Sequence, residues 1–398
     1  MKKLFASVCL ILPMLGCNMT QDEQPAVPTK LKVASFNVSM DATNYVGRNP
    51  ALTTNQVLIN QLKNNNQQIR NIAEIIQRTR PDIILLNEFD YIKNPKDGVE
   101  RFVSGYLNVA QHEKLEAIDY PYYYYAPVNT GKPSPFDLTG DGQATGSQSD
   151  AWGFGYFEGQ YGMMILSRYP IDTKNVRTFQ HFKWKDMPNA LRPIVPSNGE
   201  YFYNDEVWSQ YPLSSKSHWD VPVEVNGSKV HLLASHPTPP VFDGPEDRNG
   251  SKNHDEVRFW LDYINPLTSN YIYDDNGKLG GLQSNTRFVI LGDQNSSATE
   301  GNSRKEAITG LLTSPLVNDD RVPQSNGADK HKPNNSLSKY HTAYWGMRAD
   351  YVLPSSYGLE VLDNGVFWPS KDQDTFRLIK DRGASSDHRL VWSELLVK

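Results

Sequence analysis

The sequence predicts an α/β fold, in which short strands alternate along the chain with helical segments. Short apolar runs bounded by turn residues recur from Lys32 to the C-terminus, and such runs are typical of buried strands. Two other segments carry apolar residues at the three- and four-residue spacing that indicates a helix packed on one side. The alternation of the two patterns favours sheets covered by helices.

The individual elements follow from these patterns. Strands are predicted over residues 32–38, 82–89, 162–167, 229–236, 287–292, 350–353 and 389–397. A helix is predicted around 69–76 and ends before Pro81, because proline cannot continue a helix. A second helix is predicted around 257–264, with Asn253 as its N-cap. Long loops at 120–160 and 181–219 are expected to form binding surface.

Size and charge exclude several classes of protein. The chain has 398 residues, of which 38% are hydrophobic and 21% are charged, so it is neither a disordered nor a collagen-like chain. Its formal net charge is −5 and its pI is near 6.0. A protein that coats DNA by electrostatics alone needs clustered positive charge. We therefore expect any phosphate ligand to be bound through a metal ion or a local basic patch.

The N-terminus has the pattern of an export signal. Lys2 and Lys3 precede an apolar stretch over 4–15, which is too short to span a bilayer and is followed by Cys17. This predicts a lipoprotein signal peptide over 1–17, with Cys17 as the acylated first residue of the mature chain. A plain secretory signal is the alternative. Residues 18–30 are predicted to be a flexible tether and 31–398 the folded catalytic domain, placed in the cell envelope (outer membrane or surface) or secreted.

Polar side chains follow the predicted strands at the points where the apolar runs end. Each of these residues alone is explained by the preference of Asn and Asp for turns. Together they are the carboxylates, amides and imidazoles that metal-assisted hydrolysis requires at one edge of a sheet. They are Asn37, Glu88, His236, Asp293, Asn295, Asp350, Asp387 and His388.

These residue types suit the hydrolysis of a phosphate ester. Such an ester resists attack because its anionic oxygens repel a nucleophile, so a catalyst must neutralise charge, position water and assist the leaving oxygen. Hard oxygen ligands such as Glu88, Asp387 and Asn37 select Mg²⁺, with Mn²⁺ as the alternative. The sequence contains no G-x-S-x-G, H-E-x-x-H or P-loop motif that would indicate another class of catalysis.

The ordered motifs SFNVS, NEFD, SHPTPP, GDQN, ADYVL and SDH resemble those of the endonuclease/exonuclease/phosphatase superfamily. This superfamily includes pancreatic DNase, apurinic endonucleases, bacterial sphingomyelinases and inositol polyphosphate 5-phosphatases. The resemblance extends from Lys32 to the C-terminus. It implies a DNase-like four-layer α/β sandwich, with two packed mixed β-sheets flanked by helices and an active site at one end of the sheets.

The resemblance also implies a role for each site residue. Glu88 is the principal metal ligand with Asn37 beside it, and Asp293 orients or deprotonates the attacking water. Asn295 donates a hydrogen bond to a phosphate oxygen. His388, held by Asp387, polarises the phosphate, while Asp387 is alternatively a metal ligand. His236 is the proton donor to the leaving group, and Asp350 is an acidic residue near the site with a less defined role.

The predicted function is Mg²⁺-dependent hydrolysis of phosphodiester bonds by a nuclease or phosphodiesterase. A phosphomonoesterase acting on small organic phosphates or phospholipid headgroups is the alternative. A non-catalytic surface binding protein is the alternative from another class. The expected partner is the phosphoester substrate, nucleic acid or a small phosphodiester. Membrane contact is expected only through the lipid anchor, and no obligatory protein partner is indicated.

Two segments offer alternatives for the substrate. The first is basic and contains Trp184, which suits either a nucleic-acid surface or a solvated loop; its cations are Lys174, Arg177, Lys183, Lys185 and Arg192. The second, at 121–127, is rich in tyrosine and suits either a headgroup pocket or a buried strand.

Two further segments have polar patterns of their own. Asp137, Thr139 and Asp141 occupy positions 1, 3 and 5 of a calcium-type loop, although Gln148 stands where a closing Glu is expected. Structural Ca²⁺ and ordinary Asx turns are both compatible with this pattern. In the segment 242–260, His254, Asp255 and Arg258 suit either the entrance of the site or a helix surface.

Overall fold

A computed structural model describes residues 28–398, together with Met1. The predicted signal peptide, Cys17 and most of the predicted tether lie outside the described residues. The first strand begins at Thr29, so the last two residues assigned to the tether belong to the folded domain. None of the described helices is long and apolar enough to cross a membrane.

The strands form two separate sheets. In chain order they are β1 (Thr29–Met40), β2 (Ile83–Phe89), β3 (Tyr122–Tyr124), β4 (Met163–Ser167), β5 (Arg177–Thr178), β6 (Trp219–Val225), β7 (Ser228–Ala234), β8 (Phe288–Asp293), β9 (Asp350–Pro354), β10 (Leu359–Val366) and β11 (Val391–Val397). The first sheet has the order β10-β11-β1-β2-β4-β3, and the second has the order β5-β6-β7-β8-β9. Both sheets are mixed, because β1–β2 and β7–β8 are parallel and the other pairs are antiparallel.

The helices connect and cover the sheets. They are α1 (Ala42–Val46), α2 (Gln56–Lys63), α3 (Gln67–Thr79), α4 (Val99–Phe102), α5 (Asp205–Gln210), α6 (Arg248–Tyr263), α7 (Lys305–Leu312) and α8 (Asn326–His331). α3 begins after Asn66, whose side chain accepts the Gln68 N–H, and ends at Arg80 in the left-handed conformation before Pro81. The predicted end of this helix is confirmed.

Side-chain alternation along the second sheet produces the layers. Val289 and Leu291 of β8 pack toward the first sheet, whereas Phe288 and Ile290 pack with α6 and α7 on the other side. Because both faces of β8 are covered, the strand is a continuous apolar run. With α3 packed on the first sheet, the molecule is the expected four-layer α/β sandwich.

The second predicted helix begins earlier than expected. α6 starts at Arg248 after Asp247, so Asn253 lies inside the helix and the prediction that it is the N-cap was wrong. The Asn253 side chain instead donates hydrogen bonds to the Thr238 carbonyl at 2.8 Å and the Gln294 carbonyl at 2.9 Å. It thereby joins α6 to the loops that follow β7 and β8.

Candidate active site

The carboxyl ends of β1, β2 and β8 meet where the two sheets touch. Asn87 of β2 accepts the backbone N–H of Asp293 at 3.0 Å, and the Asn37 amide donates to Asp293 Oδ2 at 3.1 Å. Both bonds connect the first sheet to the second. The sequence analysis did not single out Asn87, which has no titratable group and is wholly buried.

Asp293 lies at the centre of the predicted residues. Its Oδ2 is 3.4 Å from His236 Nε2 and 3.5 Å from His388 Nε2, and its Oδ1 accepts the Asn295 N–H. Burial raises the pKa of Asp293, but the two imidazoles outweigh burial and hold it well below the usual range. Asp293 is therefore an ionised acceptor and a weak base, which suits orienting a water rather than deprotonating it.

His388 is paired with Asp350 and not with Asp387. His388 Nδ1 is 2.9 Å from Asp350 Oδ2, which also accepts the Thr342 hydroxyl at 2.7 Å. The prediction that Asp387 holds His388 was wrong, because adjacent residues near a strand end project in different directions. Burial disfavours the charged imidazole, but Asp350 and Asp293 outweigh burial and raise the pKa of His388 to about 10. His388 is therefore a cation at neutral pH.

His236 has the opposite electrostatic environment. Burial, followed by the nearby Lys216 ammonium, lowers the pKa of His236 to about 4. Its Nδ1 is buried and has no hydrogen-bond partner in the described part of the chain. The His236 imidazole is therefore neutral at pH 7, whereas His388 is the cation. A neutral imidazole is not favoured as the predicted proton donor.

A cluster of carboxylates lies on the other side of the site, at Asp41, Glu88 and Asp387. Burial, Asp41 and then Asp387 raise the pKa of Glu88 to about 7. No residue in 28–398 donates a hydrogen bond to the Glu88 carboxylate. One oxygen of Asp41 accepts from Thr43, but Asp41 Oδ2 is buried without a partner. Such a cluster is electrostatically unfavourable unless a cation joins it.

The cluster arises from an irregularity at the ends of β1 and β2. The register between these strands shifts between Asn37 and Met40, and Ser39 and Glu88 both have positive φ, at 46° and 58°. These kinks place Glu88 beside the segment that follows β1. Asp41 was not predicted as a site residue because it precedes a short helix and resembles an ordinary N-cap. Its Oδ1 does cap that helix by accepting the Thr43 N–H.

The carboxylate cluster fits a hard divalent cation. It offers carboxylate oxygens only, and two of its three members lack a full set of donors. Asp387 accepts the Ser39 hydroxyl at 3.3 Å and lies 3.4 Å from Arg382. Asn37 differs, since its amide accepts the Ser39 N–H and donates to Asp293. Asn37 therefore positions the Asp293 carboxylate and does not act as a metal ligand in this arrangement.

Among the described residues, one group of three side chains has its ligand atoms close enough together to hold a metal ion, and it is not the carboxylate cluster. The ligand atoms of Asp293, Asp350 and His388 lie within 4.8 Å of one another. The protonated His388 already accounts for this proximity, because it neutralises both carboxylates. The two groups thus differ: one contains its own cation, whereas the three carboxylates of the other outnumber the nearby Arg382 guanidinium.

Asn295 occupies the predicted place beside Asp293. Its backbone has φ 49°, and its side-chain Nδ2 donates to the Pro237 carbonyl at 3.2 Å. Gly292, which precedes Asp293, has φ 137°, and a Cβ there would lie 2.0 Å from the Ser235 carbonyl oxygen. This close approach brings the turns after β7 and β8 together.

Of the basic segment, Lys174 and Lys185 are exposed, whereas Trp184 and Arg177 do not fit the alternative of a nucleic-acid surface. Trp184 is fully buried and donates its indole N–H to Asp255 at 2.7 Å. Arg177 is buried and paired with Asp274 at 2.7 Å, and Arg192 is paired with Asp205. Trp184 thereby joins the loop 181–219 to α6, Arg177 joins β5 to the segment before β8, and Arg192 pairs within the loop. The solvated-loop alternative is also wrong for Trp184 and Arg177, while Asp255 and Arg258 serve packing and pairing within the α6 region.

The calcium-type loop uses its carboxylates locally. Asp137 accepts backbone N–H groups from Thr139, Gly140 and Gly142, and Asp141 accepts one from Gln143. This is the Asx-turn alternative of the sequence analysis. Calcium binding at this loop stays a prediction. The tyrosine-rich segment forms the edge strand β3, where Tyr124 packs on Trp219.

The fold and the site define a class of protein, the metal-dependent phosphoester hydrolases. A sequence model of the Endonuclease/Exonuclease/phosphatase family matches residues 34–388. The chain belongs to this family, as its motifs indicate. No curated protein matches the sequence.

Solved structures with a similar fold come from several bacteria. An endonuclease/exonuclease/phosphatase from Beutenbergia cavernae DSM 12333 is 18% identical, with a TM-score of 0.49, over 92% of this chain and 72% of that chain. A mutant beta toxin from Staphylococcus aureus with bound magnesium ions is 16% identical, with a TM-score of 0.43, over 93% and 100%. Sphingomyelinase C from Streptomyces griseocarneus is 15% identical, with a TM-score of 0.43, over 92% and 99%.

Proposed function

We propose that this protein is an exported, Mg²⁺-dependent phosphoesterase that hydrolyses its substrate by direct attack of water. The observation that carries the proposal is the arrangement around Asp293. An ionised buried carboxylate lies between a cationic imidazole, His388, and a cluster in which three carboxylates outnumber the nearby Arg382 guanidinium. Export rests on the N-terminal pattern, with Cys17 as the lipid anchor to the cell envelope; a secreted form is the alternative.

Asp41, Glu88 and Asp387 are the residues that would hold Mg²⁺, with Mn²⁺ as the alternative ion. When bound, the ion supplies positive charge against the phosphate oxygens. The carboxylates need this ion, because each raises the energy of the others in its absence. Magnesium typically binds through one or two carboxylates and keeps several waters, so three candidate oxygen donors are sufficient.

The remaining residues bind and orient. Asp293 accepts a hydrogen bond from the attacking water, and Asn37 and Asn87 fix its carboxylate and its backbone. His388 donates to a phosphate oxygen, and Asp350 keeps that imidazole protonated and aligned. Asn295 faces the same space from the turn after β8. These groups are preorganised, so little reorganisation accompanies the rise of charge on the phosphate.

The substrate is a small phosphoester in this proposal rather than a nucleic-acid duplex. A duplex requires a basic surface that neutralises several phosphates, and two residues of the candidate segment, Trp184 and Arg177, are buried and paired. A phosphodiester is the substrate that the sequence predicts, with a phosphomonoester as the alternative. One feature of the site, the buried Lys216, distinguishes these two substrate classes.

Hydrolysis of two chromogenic substrates tests the proposal. Purified protein is assayed on bis-p-nitrophenyl phosphate and on p-nitrophenyl phosphate, with Mg²⁺ or with EDTA. We expect turnover that requires Mg²⁺ and is lost in Asp293→Asn. Lys185→Met is the matched control, because Lys185 is a surface cation paired with Asp186. Binding of phosphate without turnover of either ester would favour the non-catalytic binding protein.

A further inference from the structure

Lys216 is a buried lysine with no partner for its ammonium group. It lies in the loop between α5 and β6, and only 5% of its surface is exposed. Among residues 28–398, no carboxylate oxygen lies within 4.0 Å of Nζ, and no acceptor hydrogen-bonds it. A buried ammonium without an acceptor loses its hydration and gains little in return. The fold therefore keeps three N–H donors available at this position.

The Lys216 ammonium interacts electrostatically with the reaction centre. It acts on Glu88 and Asp293, and it contributes to the low pKa of His236. Its nearest carboxylate by electrostatic effect is Glu256. Glu256 is already satisfied, because its two oxygens accept the Ser215 N–H and the Thr238 N–H, both at 2.6 Å. Among the described residues Lys216 therefore has no ion-pair partner within 4.0 Å, although the charge of Glu256 acts on it.

The loop that carries Lys216 is fixed by its neighbours. The Asn129 N–H donates to the Lys216 carbonyl at 2.9 Å, and the Asn129 side chain donates to the Ser214 carbonyl at 2.9 Å. Gly153 packs so closely that a Cβ there would lie 2.1 Å from the Ser215 carbonyl oxygen. A lysine on such a loop is held in place, which is the property of a binding group rather than of a mobile surface charge.

A second buried lysine lies beside the first. Lys252 of α6 is 3% exposed; its ammonium contacts the Trp152 carbonyl at 3.3 Å and lies 3.9 Å from the Tyr211 ring centroid. Lys252 has these partners, but its charge still acts on Lys216. Lys252 therefore adds a second positive charge near Lys216.

We infer that Lys216 binds a non-bridging oxygen of the scissile phosphate, and that the substrate is a phosphate monoester. This inference rests on the proposed function and names its substrate class. A monoester near neutral pH carries up to two negative charges, whereas a diester carries one. His388 and the metal ion suit the phosphate of either class. The additional ammonium, on a buried side chain without an ion-pair partner among the described residues, matches the second charge of the monoester.

Two substrates with the same leaving group test the inference. They are p-nitrophenyl phosphate and its methyl ester, methyl p-nitrophenyl phosphate, which differ by one methyl group and one negative charge. In Lys216→Met we expect kcat/KM for the monoester to fall about 30-fold, since a hydrogen bond to a charged group contributes on the order of tenfold to a hundredfold. For the methyl ester we expect a loss below about threefold. Lys185→Met leaves both values unchanged.

Binding of inorganic phosphate provides a readout that does not depend on turnover. Calorimetry with Mg²⁺ present is expected to show weaker phosphate binding in Lys216→Met than in the wild type, at an unchanged melting temperature. Equal losses on both esters, with unchanged phosphate binding or a lower melting temperature, would show that Lys216 is structural and overturn the inference. If the wild type hydrolyses neither ester, the proposed function fails, and phosphate binding alone still decides the role of Lys216.

Discussion

The two sides of the site around Asp293 differ in how their charges are balanced. On one side, His388 lies between two carboxylates and is stabilised as a cation. On the other side, Glu88, Asp41 and Asp387 raise one another's energy, and Asp41 Oδ2 lacks a partner. The balanced side is complete in the protein alone. The unbalanced side is complete only with a cation, so the difference identifies where a ligand is required.

The largest effect is expected from Asp293→Asn, which removes the charge that both sides share. An amide cannot accept strongly from the attacking water, and it no longer stabilises the His388 cation. We expect kcat to fall by about 10²–10³-fold, the usual loss when one preorganised electrostatic group is removed from a site. Steady-state kinetics at saturating Mg²⁺ measures this loss. A decrease of less than tenfold would remove Asp293 from the centre of the mechanism.

The balanced side predicts a specific dependence of stability on pH. The folded state raises the pKa of His388 to about 10 from an ordinary value of 6.5. The resulting stabilisation is present in full below pH 6.5 and is lost as the pH rises through 10. Chemical denaturation from pH 6 to pH 10 should show a falling free energy of unfolding in the wild type. His388→Gln should flatten this dependence; an unchanged slope in this variant would contradict the assigned ion pair.

The unbalanced side predicts a fall of stability over a lower pH range in the absence of metal. Glu88 has a pKa of about 7 in the fold against 4.5 ordinarily, so the folded state retains a proton that the unfolded state has lost. Stability of the metal-free protein should therefore fall as the pH rises from about 4.5 to 7. Asp41→Asn should raise the melting temperature measured in EDTA at pH 8, while Lys185→Met should not change it. A lower melting temperature in Asp41→Asn would indicate that Asp41 is chiefly a helix cap.

A smaller effect is expected where α6 holds the turns behind Asp293. Asn253→Ala removes two buried hydrogen bonds, to the Thr238 and Gln294 carbonyls. We expect a loss of about 1–3 kcal/mol in the free energy of unfolding, because two acceptors lose their donor. Urea denaturation measures this change. A loss below about 0.5 kcal/mol, within the range of surface substitutions, would show that water replaces the amide.

The sequence predicted the parts of the fold that apolar periodicity determines. The strands β1, β2, β4, β7, β8, β9 and β11 were predicted with small errors at their ends. The strands β5, β6 and β10 were not, because they are very short, contain Pro222, or mix polar with apolar residues, and β3 was one of two alternatives for residues 121–127. Their position depends on pairing with distant segments, which a local pattern does not contain.

Site residues that belong to a sequence motif were predicted, and site residues that are brought in only by three-dimensional packing were missed. Asp293 and His388 lie at strand ends, so the strand pattern and the motifs located them. Lys216 was missed because a lysine in a loop ordinarily lies in solvent. The pairing of His388 with Asp350 was not predicted. It depends on the pairing of β8 with β9, which places the Asp350 carboxylate opposite Asp293 only in the folded sheet.

The central claim is that the cation belongs to the unbalanced side, and calorimetric titration with Mg²⁺ tests it most directly. The titration compares the wild type with Asp41→Asn and with Asp350→Asn at pH 8. We predict that Asp41→Asn weakens Mg²⁺ binding by about tenfold or more, since a carboxylate ligand is replaced by a neutral amide, whereas Asp350→Asn changes it by less than about threefold. The reverse order would place the ion at Asp293, Asp350 and His388 and contradict the account.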